Sequence, residues 1–205
     1  MIAIIDYGVG NIRAFANVYK KLNVPVTIAQ TEKDLDGINK IILPGVGAFD
    51  HAISKLNASG MLPRVEEMVL KNNVPVIGIC VGMQMLAKSS DEGKLPGLGW
   101  VDATVKKFDT SKIHSTTRLP HMGWNDVKPK LPVNPLFSGL ETDAKFYFLH
   151  SYYFCCHDPA IVIASADYGD SFACAINYRN IYGVQCHPEK SHHYGVRLLE
   201  NFSKL

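Results

Sequence analysis

The segment Gly78–Gly82 has the form G-x-C-x-G, with Cys80 at its centre, and it follows an apolar run. A nucleophile flanked by glycines where a strand meets a helix is typical of a nucleophile elbow, because the turn is too tight for side chains. The start of the helix favours a thiolate, which is the attacking form of cysteine. The pattern predicts that Cys80 is a nucleophile. The alternative is a small buried apolar residue at a strand end.

A second segment, Gly183–Glu189, offers the partners that a thiolate nucleophile needs. His187 ends an apolar run, Glu189 follows two residues later, and Pro188 between them restricts the backbone of the corner. We expect His187 to take the thiol proton and to return it to the leaving group, while Glu189 holds the imidazole tautomer. The alternative is a surface histidine beside an exposed glutamate, since the chain has seven other histidines.

Two glycine-rich turns are candidates for binding, and the sequence favours only one of them. Pro44–Gly47 follows a predicted strand, and its backbone N–H groups suit either an oxyanion hole or an ordinary turn. Gly8–Arg13 begins like a dinucleotide-binding fingerprint, but Arg13 replaces the third glycine, so NAD binding is rejected. Neither a C-x-x-C pair nor an H-E-x-x-H motif is present, and we predict no metal site.

The composition favours a globular protein of the cytoplasm. The chain of 205 residues is 47% hydrophobic with a net charge of +2, so no strong basic field predicts nucleic-acid binding. No apolar run has the length of a membrane helix, and no signal peptide is recognised at Met1. The odd number of cysteines, five, is typical of reduced thiols in the cytoplasm.

Strand and helix patterns alternate in the first half of the chain. Helices are predicted from Ile12 to Leu22 and at Ala48–Leu56, Pro63–Leu70 and Met83–Ala87. Strands are predicted at Ile2–Ile5, Pro25–Ile28, Lys40–Leu43 and Val74–Ile79, the third being stopped by Pro44. This order predicts a parallel sheet covered by helices on both faces.

Short strands dominate after about residue 98. They are predicted at Trp100–Val105, Trp124–Val127, Phe146–Leu149, Ile161–Ala164, Cys174–Ile176 and Ile181–Gln185, before a final helix at His193–Phe202. We therefore predict one α/β domain, residues 1–205, with a central mixed, mainly parallel sheet flanked by helices and antiparallel strands in the second half. Two domains divided near residue 98 are the alternative.

Several segments together resemble a known family. Gly78–Gln84 and Gly183–Ser191 resemble the class I, or triad, glutamine amidotransferases. Three further segments, with Pro44–Gly47, are similar to the glutaminase subunits of imidazole glycerol phosphate synthase within that family; they are Ile5–Asn11, Pro120–Asn125 and Tyr147–Tyr152. The resemblance runs from Ile4 to the C-terminal helix.

The resemblance implies an activity. Cys80 would attack the side-chain amide of glutamine, form a thioester and release ammonia, and water would then release glutamate. Ammonia would pass to a (β/α)8-barrel synthase subunit in a heterodimer, which makes imidazole glycerol phosphate and an aminoimidazole carboxamide ribonucleotide in histidine biosynthesis. No cofactor is implied.

The resemblance also implies roles for residues outside the triad. The glutamine pocket would include Gly45, Val46, Gly47, Gln84, Glu92, His150, Ser151 and Tyr152. The surface toward the partner would include Met122, Trp124 and Tyr147, although the first two also suit a protein core.

Two positions depart from the family pattern, and one alternative stays open. Cys186 stands where phenylalanine is common, and Val81 where leucine is common; both changes are small and apolar. Tyr147–Phe154 and Ser191–Gly195 also resemble paralogous glutaminase subunits from surface-sugar biosynthesis, which supply ammonia to a different acceptor.

Overall fold

The computed structural model describes residues 1–113 and 119–205. Its α-helices are α1 (Ile12–Lys21), α2 (Phe49–Ala58), α3 (Leu62–Glu66), which continues as a π-helical turn at Glu67–Lys71, α4 (Val81–Met85) and α5 (His192–Lys204). Its strands are β1 (Ile2–Ile5), β2 (Val26–Ala29), β3 (Lys40–Gly45), β4 (Val76–Cys80), β5 (Ser89–Ser90), β6 (Ala103–Lys107), β7 (His121–Asp126), β8 (Lys128–Pro129), β9 (Lys145–His150), β10 (Tyr152–Cys156), β11 (Val162–Tyr168), β12 (Asp170–Tyr178) and β13 (Ile181–Val184).

One mixed sheet runs through both halves of the chain. Its strand order is β2-β1-β3-β4-β13-β12-β10-β6-β5, with β11 paired to β12 and β8 paired to β11. The strands from β2 to β13 in this order are parallel, and β12 and β10 continue the sheet in antiparallel pairing. The predicted α/β class and mixed sheet are confirmed. The two-domain alternative is wrong, because β13 from the second half pairs directly with β4 from the first.

Three neighbouring parallel strands end at the same edge of the sheet. Gly45 at the end of β3 pairs with Cys80 at the end of β4, and Val184 at the end of β13 pairs with Ile79. The carboxyl ends of parallel strands are where open α/β sheets build their sites. The fold therefore brings Cys80, the segment after Gly45 and the segment that leads to His187 to one place.

The strand β3 is longer than the sequence predicts, because Pro44 does not stop it. Pairing with β1 has already ended at Ile42, while pairing with β4 continues through Pro44 to Gly45. The carbonyl oxygen of Pro44 accepts a hydrogen bond from the Tyr7 hydroxyl at 2.6 Å, on the β1 side. The missing N–H of Pro44 therefore removes no bond of the β3–β4 ladder.

A separate ribbon of two antiparallel strands, β7 and β9, lies beside the main sheet. Both strands are predicted from sequence, with bounds that differ by a few residues. The predicted strand at Trp100–Val105 begins later, at Ala103. The short strands Ser89–Ser90 and Lys128–Pro129 were not predicted, because two residues carry no periodicity.

Helices flank the sheet and connect distant parts of the chain. The buried Tyr19 hydroxyl of α1 donates to the Leu199 carbonyl of α5 at 3.0 Å, and α2 packs against α4. Across residues 1–113 and 119–205, none of the helices combines the length and apolar character that crossing a membrane requires.

Glycines allow the start of α4 to lie against β3. A Cβ atom at Gly82 would collide with the Leu43 carbonyl oxygen, and one at Gly45 would collide with the Gly82 nitrogen. At Gly78 a Cβ would lie 2.6 Å from the Gly82 carbonyl oxygen, closer than real contacts. The turn at Cys80 is therefore held by backbone against backbone.

We predict that Gly82→Ala lowers the free energy of unfolding by about 3 kcal/mol, because neither backbone at this contact has room to move. Gly60→Ala is the control, since Gly60 has φ +72° but nothing lies within 4 Å of the place that an added Cβ would occupy. That change should lower stability by only about 1 kcal/mol, the strain of a left-handed backbone. Urea denaturation measures both, and equal losses would contradict the packing argument.

Candidate active site

Cys80 occupies a sharp junction between β4 and α4. Its backbone has φ 55° and ψ −114°, an uncommon conformation for a residue with a side chain. The surrounding backbone contacts of Gly45, Gly78 and Gly82 fix this conformation. Strain held in this way is found at functional sites, and it places the sulfur at the wall of a cavity. The predicted elbow geometry is present.

His187 and Glu189 form a buried pair next to Cys80. The distance from His187 Nδ1 to Glu189 Oε1 is 3.0 Å, and the two side chains are 4% and 1% exposed. The His187 side chain is also hydrogen-bonded to Cys80, which leaves Nε2 as the ring atom for the sulfur. The surface alternative for this pair is therefore wrong. The second carboxylate oxygen of Glu189 is buried with no hydrogen-bond partner in the described part of the chain.

The charge on His187 is set by opposing effects. Burial alone would lower the pKa of His187, but its hydrogen bonds to Cys80 and Glu189, with the negative charges of both, raise that pKa to about 10. The ring is thus an imidazolium at neutral pH. A positive ring beside the sulfur stabilises a thiolate, which is the reactive form of a cysteine.

Three hydrogen bonds among Tyr147 of β9, His187 and Ser191 hold the His187 corner. The His187 N–H donates to the Tyr147 carbonyl at 2.8 Å, and the Tyr147 N–H donates to Ser191 Oγ at 3.0 Å. Ser191 Oγ in turn donates to the His187 carbonyl at 2.6 Å. Sequence reasoning gave Ser191 no role of its own. A serine before a helix usually caps it, but this hydroxyl bonds to the corner and makes no side-chain cap.

A cavity of about 500 Å3 opens at Cys80 and His187. Most residues that were predicted for a substrate pocket line it, namely Val46, Gly47, Gln84, Glu92, His150, Ser151 and Tyr152. Gly45 does not line it and lies behind it, paired with Cys80 in the sheet. Pro120 and Lys190 also line the cavity and were not predicted.

Gln84 and Gln185 connect the cavity wall to the sulfur. Gln84 Nε2 donates to the Tyr152 carbonyl at 3.1 Å and to Gln185 Oε1 at 3.0 Å. Gln185 Nε2 then donates to Cys80 Sγ at 3.8 Å. Gln185 is fully buried, and sequence reasoning did not single it out. A buried glutamine one residue from a strand end was the available signal, because such a residue needs polar partners.

Glu92 has a structural contact in addition to its place in the cavity. Its Oε2 accepts a hydrogen bond at 2.9 Å from the N–H of Phe49, the first residue of α2. Partial burial raises the pKa of Glu92, and the charge of Asp50 raises it further, against the effect of the Phe49 bond. The carboxylate therefore caps α2 and also faces the space where a ligand would lie.

Met122 and Trp124 lie on the outer face of the ribbon and are 60% and 47% exposed. The core alternative for these two residues is therefore wrong. Trp124 stacks on His192 with ring centroids 5.2 Å apart and meets the Tyr147 ring edge-on at 6.4 Å. Leu149 on the neighbouring strand adds to the same apolar face.

Comparisons with known proteins agree with one another. The family model for class-I glutamine amidotransferases matches residues 3–204. The chain is 60% identical to a protein of Bdellovibrio bacteriovorus named imidazole glycerol phosphate synthase subunit HisH, over 100% of both chains. It is 51% identical to the protein of the same name from Leptospira interrogans, also over 100% of both. A crystal structure of a glutamine amidotransferase shares the fold, with a TM-score of 0.75, 18% identity and coverage of 100% of this chain and 99% of the other.

We predict that Glu189→Gln lowers the pKa of His187, because the ring then loses a negative neighbour while its burial is unchanged. In the unmodified protein, His187 should stay protonated at pH 8, and its stabilising effect should disappear as the pH rises from the ordinary histidine range, about 6.5, through about 10. NMR titration of labelled histidines measures this. Glu200→Gln on α5 is the control, and an equal shift in both variants would contradict the assignment.

Proposed function

Because the chain belongs to the class-I glutamine amidotransferase family, we propose that it hydrolyses glutamine to glutamate and ammonia for a synthase partner. The proposed partner reaction is the imidazole glycerol phosphate synthase step of histidine biosynthesis. The observation that carries this proposal is the full-length identity of 60% to a protein named as a subunit of that synthase. The buried contact of Cys80, His187 and Glu189 supports the chemistry.

The first half of the proposed reaction forms a thioester. The Cys80 thiolate attacks the carbon of the glutamine side-chain amide, and negative charge develops on the amide oxygen. The His187 imidazolium donates its proton to the amide nitrogen as the carbon–nitrogen bond breaks, so that ammonia leaves. Glu189 keeps the ring in place and stabilises its positive charge, through the 3.0 Å contact to Nδ1.

The second half releases glutamate. His187, now neutral, removes a proton from a water molecule that attacks the thioester carbonyl. The carbon–sulfur bond then breaks, glutamate leaves, and the thiolate–imidazolium pair is restored. The same histidine thus acts first as an acid and then as a base.

The cavity wall offers groups for binding and for charge stabilisation. We propose that Val46 and Gly47, which line the cavity directly after Gly45 at the end of β3, supply backbone N–H groups to the developing oxyanion beside Cys80. The remaining proposed pocket comprises Gln84, Glu92, His150, Ser151 and Tyr152. A carboxylate such as Glu92 suits the ammonium group of glutamine. Both amide hydrogens of Gln84 are engaged within the protein, so it would act through its carbonyl oxygen.

The partner is proposed to be a (β/α)8-barrel subunit that forms a heterodimer with this chain. Met122, Trp124 and Tyr147 are proposed to face it, because an exposed aromatic and methionine cluster of this kind is enriched at protein interfaces. The face lies on the ribbon whose other contacts hold His187. Ammonia released at Cys80 would be transferred across this side of the molecule.

A different acceptor is not favoured. Two relatives that match the whole chain, at 60% and 51% identity, carry the synthase name. Their matches include both segments that resemble surface-sugar glutaminase subunits.

We predict that Cys80→Ala abolishes glutamine-dependent synthesis by the complex and leaves synthesis from ammonium salts intact, because only ammonia production needs the thiol. Cys155→Ala is the control, since Cys155 is a half-buried thiol on β10 away from the cavity. The measurement is product formation with the two nitrogen sources. Retained glutamine-dependent turnover in Cys80→Ala would refute the nucleophile.

We predict that Trp124→Ala weakens binding of the synthase subunit by at least about 30-fold, or about 2 kcal/mol, because an exposed aromatic anchor is lost. Leu70→Ala is the control, an exposed apolar residue that follows α3, outside the ribbon. Calorimetry with the purified synthase subunit gives both dissociation constants. Equal affinity of the two variants would show that the ribbon face is not the interface.

A further inference from the structure

Two buried histidines, His121 and His150, face each other across the ribbon. They are directly paired in the β7–β9 register, and His121 Nδ1 lies 3.0 Å from His150 Nε2. The other ring nitrogens are also bonded: His150 Nδ1 lies 2.8 Å from the Tyr152 carbonyl oxygen, and His121 Nε2 lies 3.2 Å from Asn125 Nδ2. The proposed reaction steps use neither imidazole.

These contacts fix where each ring carries its proton. The Tyr152 carbonyl can only accept, so His150 Nδ1 carries hydrogen and His150 Nε2 accepts. His121 Nδ1 must therefore donate to His150, and His121 Nε2 accepts from Asn125 Nδ2. The orientation of Asn125 is set in turn, because its Nδ2 also donates to the Asp167 carbonyl at 2.8 Å. Both histidines are protonated at Nδ1 alone.

The surroundings keep the pair uncharged. His121 is stacked on the rings of Tyr168 and Phe148, at centroid distances of 4.1 and 5.0 Å. Burial lowers the pKa of His121 to about 4. Burial, followed by the neighbouring His121, lowers the pKa of His150 to about 3. Neutral imidazoles are consistent with the direction of every hydrogen bond in the series that runs from Asn125 through His121 and His150 to the Tyr152 carbonyl.

The series leads from the ribbon to the sulfur. The Tyr152 carbonyl accepts from His150 and also from Gln84, which bonds to Gln185, and Gln185 donates to Cys80 Sγ. Its other end, Asn125, lies on β7, next to Trp124 on the outer face. Alternate residues of a strand point to opposite faces, so the outer aromatic cluster and the inner histidines share the same two strands.

We propose that His121 and the His150 side chain are positioning residues that fix the Tyr152 carbonyl, and through Gln84 and Gln185 the Cys80 sulfur, relative to the ribbon. This inference rests on the proposed glutaminase function. His121 does not touch the cavity, and it acts through His150. A neutral imidazole fits this place because it offers one donor and one acceptor on a rigid ring.

The first test is made on the unmodified full chain. Long-range proton–nitrogen correlation spectra at pH 7.5 distinguish the two neutral tautomers and the imidazolium. We expect two histidines protonated at Nδ1 only, assigned by their loss or shift in His121→Gln. An imidazolium, or an Nε2 proton, on either residue would overturn the proposal.

The second test measures glutamine hydrolysis by the complex with the synthase subunit. His121→Leu removes both bonds and should lower kcat/KM for glutamine by roughly 10- to 100-fold, since small displacements of reacting groups have effects of this size. His121→Gln keeps an amide donor and acceptor and should recover activity to within about threefold. His157→Leu, at an exposed histidine, should change nothing. Unchanged kinetics in His121→Leu, or an equal loss in His121→Gln, would overturn the proposal.

A third variant keeps the test decisive if His121→Leu does not fold. Asn125→Asp replaces the amide donor at the half-buried end of the series by an acceptor, so His121 must gain a proton at Nε2. We expect that proton in the spectrum together with a loss in kcat/KM, and a normal kcat/KM with the altered proton would overturn the proposal. If the unmodified complex hydrolyses no glutamine, the proposed function fails first, and this inference falls with it.

Discussion

The backbone contact between β3 and the first turn of α4 is the constraint on which the site depends. Gly82 lies against the Leu43 carbonyl, and Gly45 lies against Gly82, at distances that no side chain permits. This contact holds Cys80 in a backbone conformation that it would not adopt in an open turn. It also fixes the end of β3 beside the sulfur, where the proposed oxyanion donors begin.

The ribbon of β7 and β9 is the second constraint on the site, and it contacts His187 and Cys80 through different carbonyl groups. The Tyr147 carbonyl bonds to the His187 N–H, and the Leu149 carbonyl lies 4.0 Å from Cys80 Sγ. Ser191, directly before α5, accepts from the Tyr147 N–H and donates to the His187 carbonyl. The buried thiol of Cys186, next to His187 in sequence, is kept protonated because burial raises its pKa well above the ordinary range. The proposed nucleophile at the cavity wall and a buried, protonated thiol thus lie close together, and their surroundings distinguish them.

Local pattern was sufficient for the α/β class, for the elbow at Cys80 and for the corner at His187, because each is encoded by neighbouring residues. The strand through Pro44 could not be predicted, since it depends on where β1 stops pairing. The roles of Ser191 and Gln185 could not be predicted, because each depends on a residue distant in the chain. Ser191 accepts from Tyr147, 44 residues away, and Gln185 accepts from Gln84, 101 residues away. The contact between His121 and His150 could not be predicted for the same reason. Their tautomers follow from hydrogen bonds to residues that only the fold brings together.

Tyr147 of β9 accepts a hydrogen bond from the His187 N–H through its main-chain carbonyl and donates its main-chain N–H to Ser191 Oγ, whereas its side chain meets the Trp124 ring on the outer face. Any amino acid other than proline at this position can make the same two backbone bonds. The proposed partner-binding face and the proposed catalytic corner are therefore separable on a single strand. After gene duplication, the outer side chains can therefore change to bind a new subunit while the backbone bonds that hold His187 stay the same. Exchange of the outer side chains likewise offers a route to deliver ammonia to a designed acceptor.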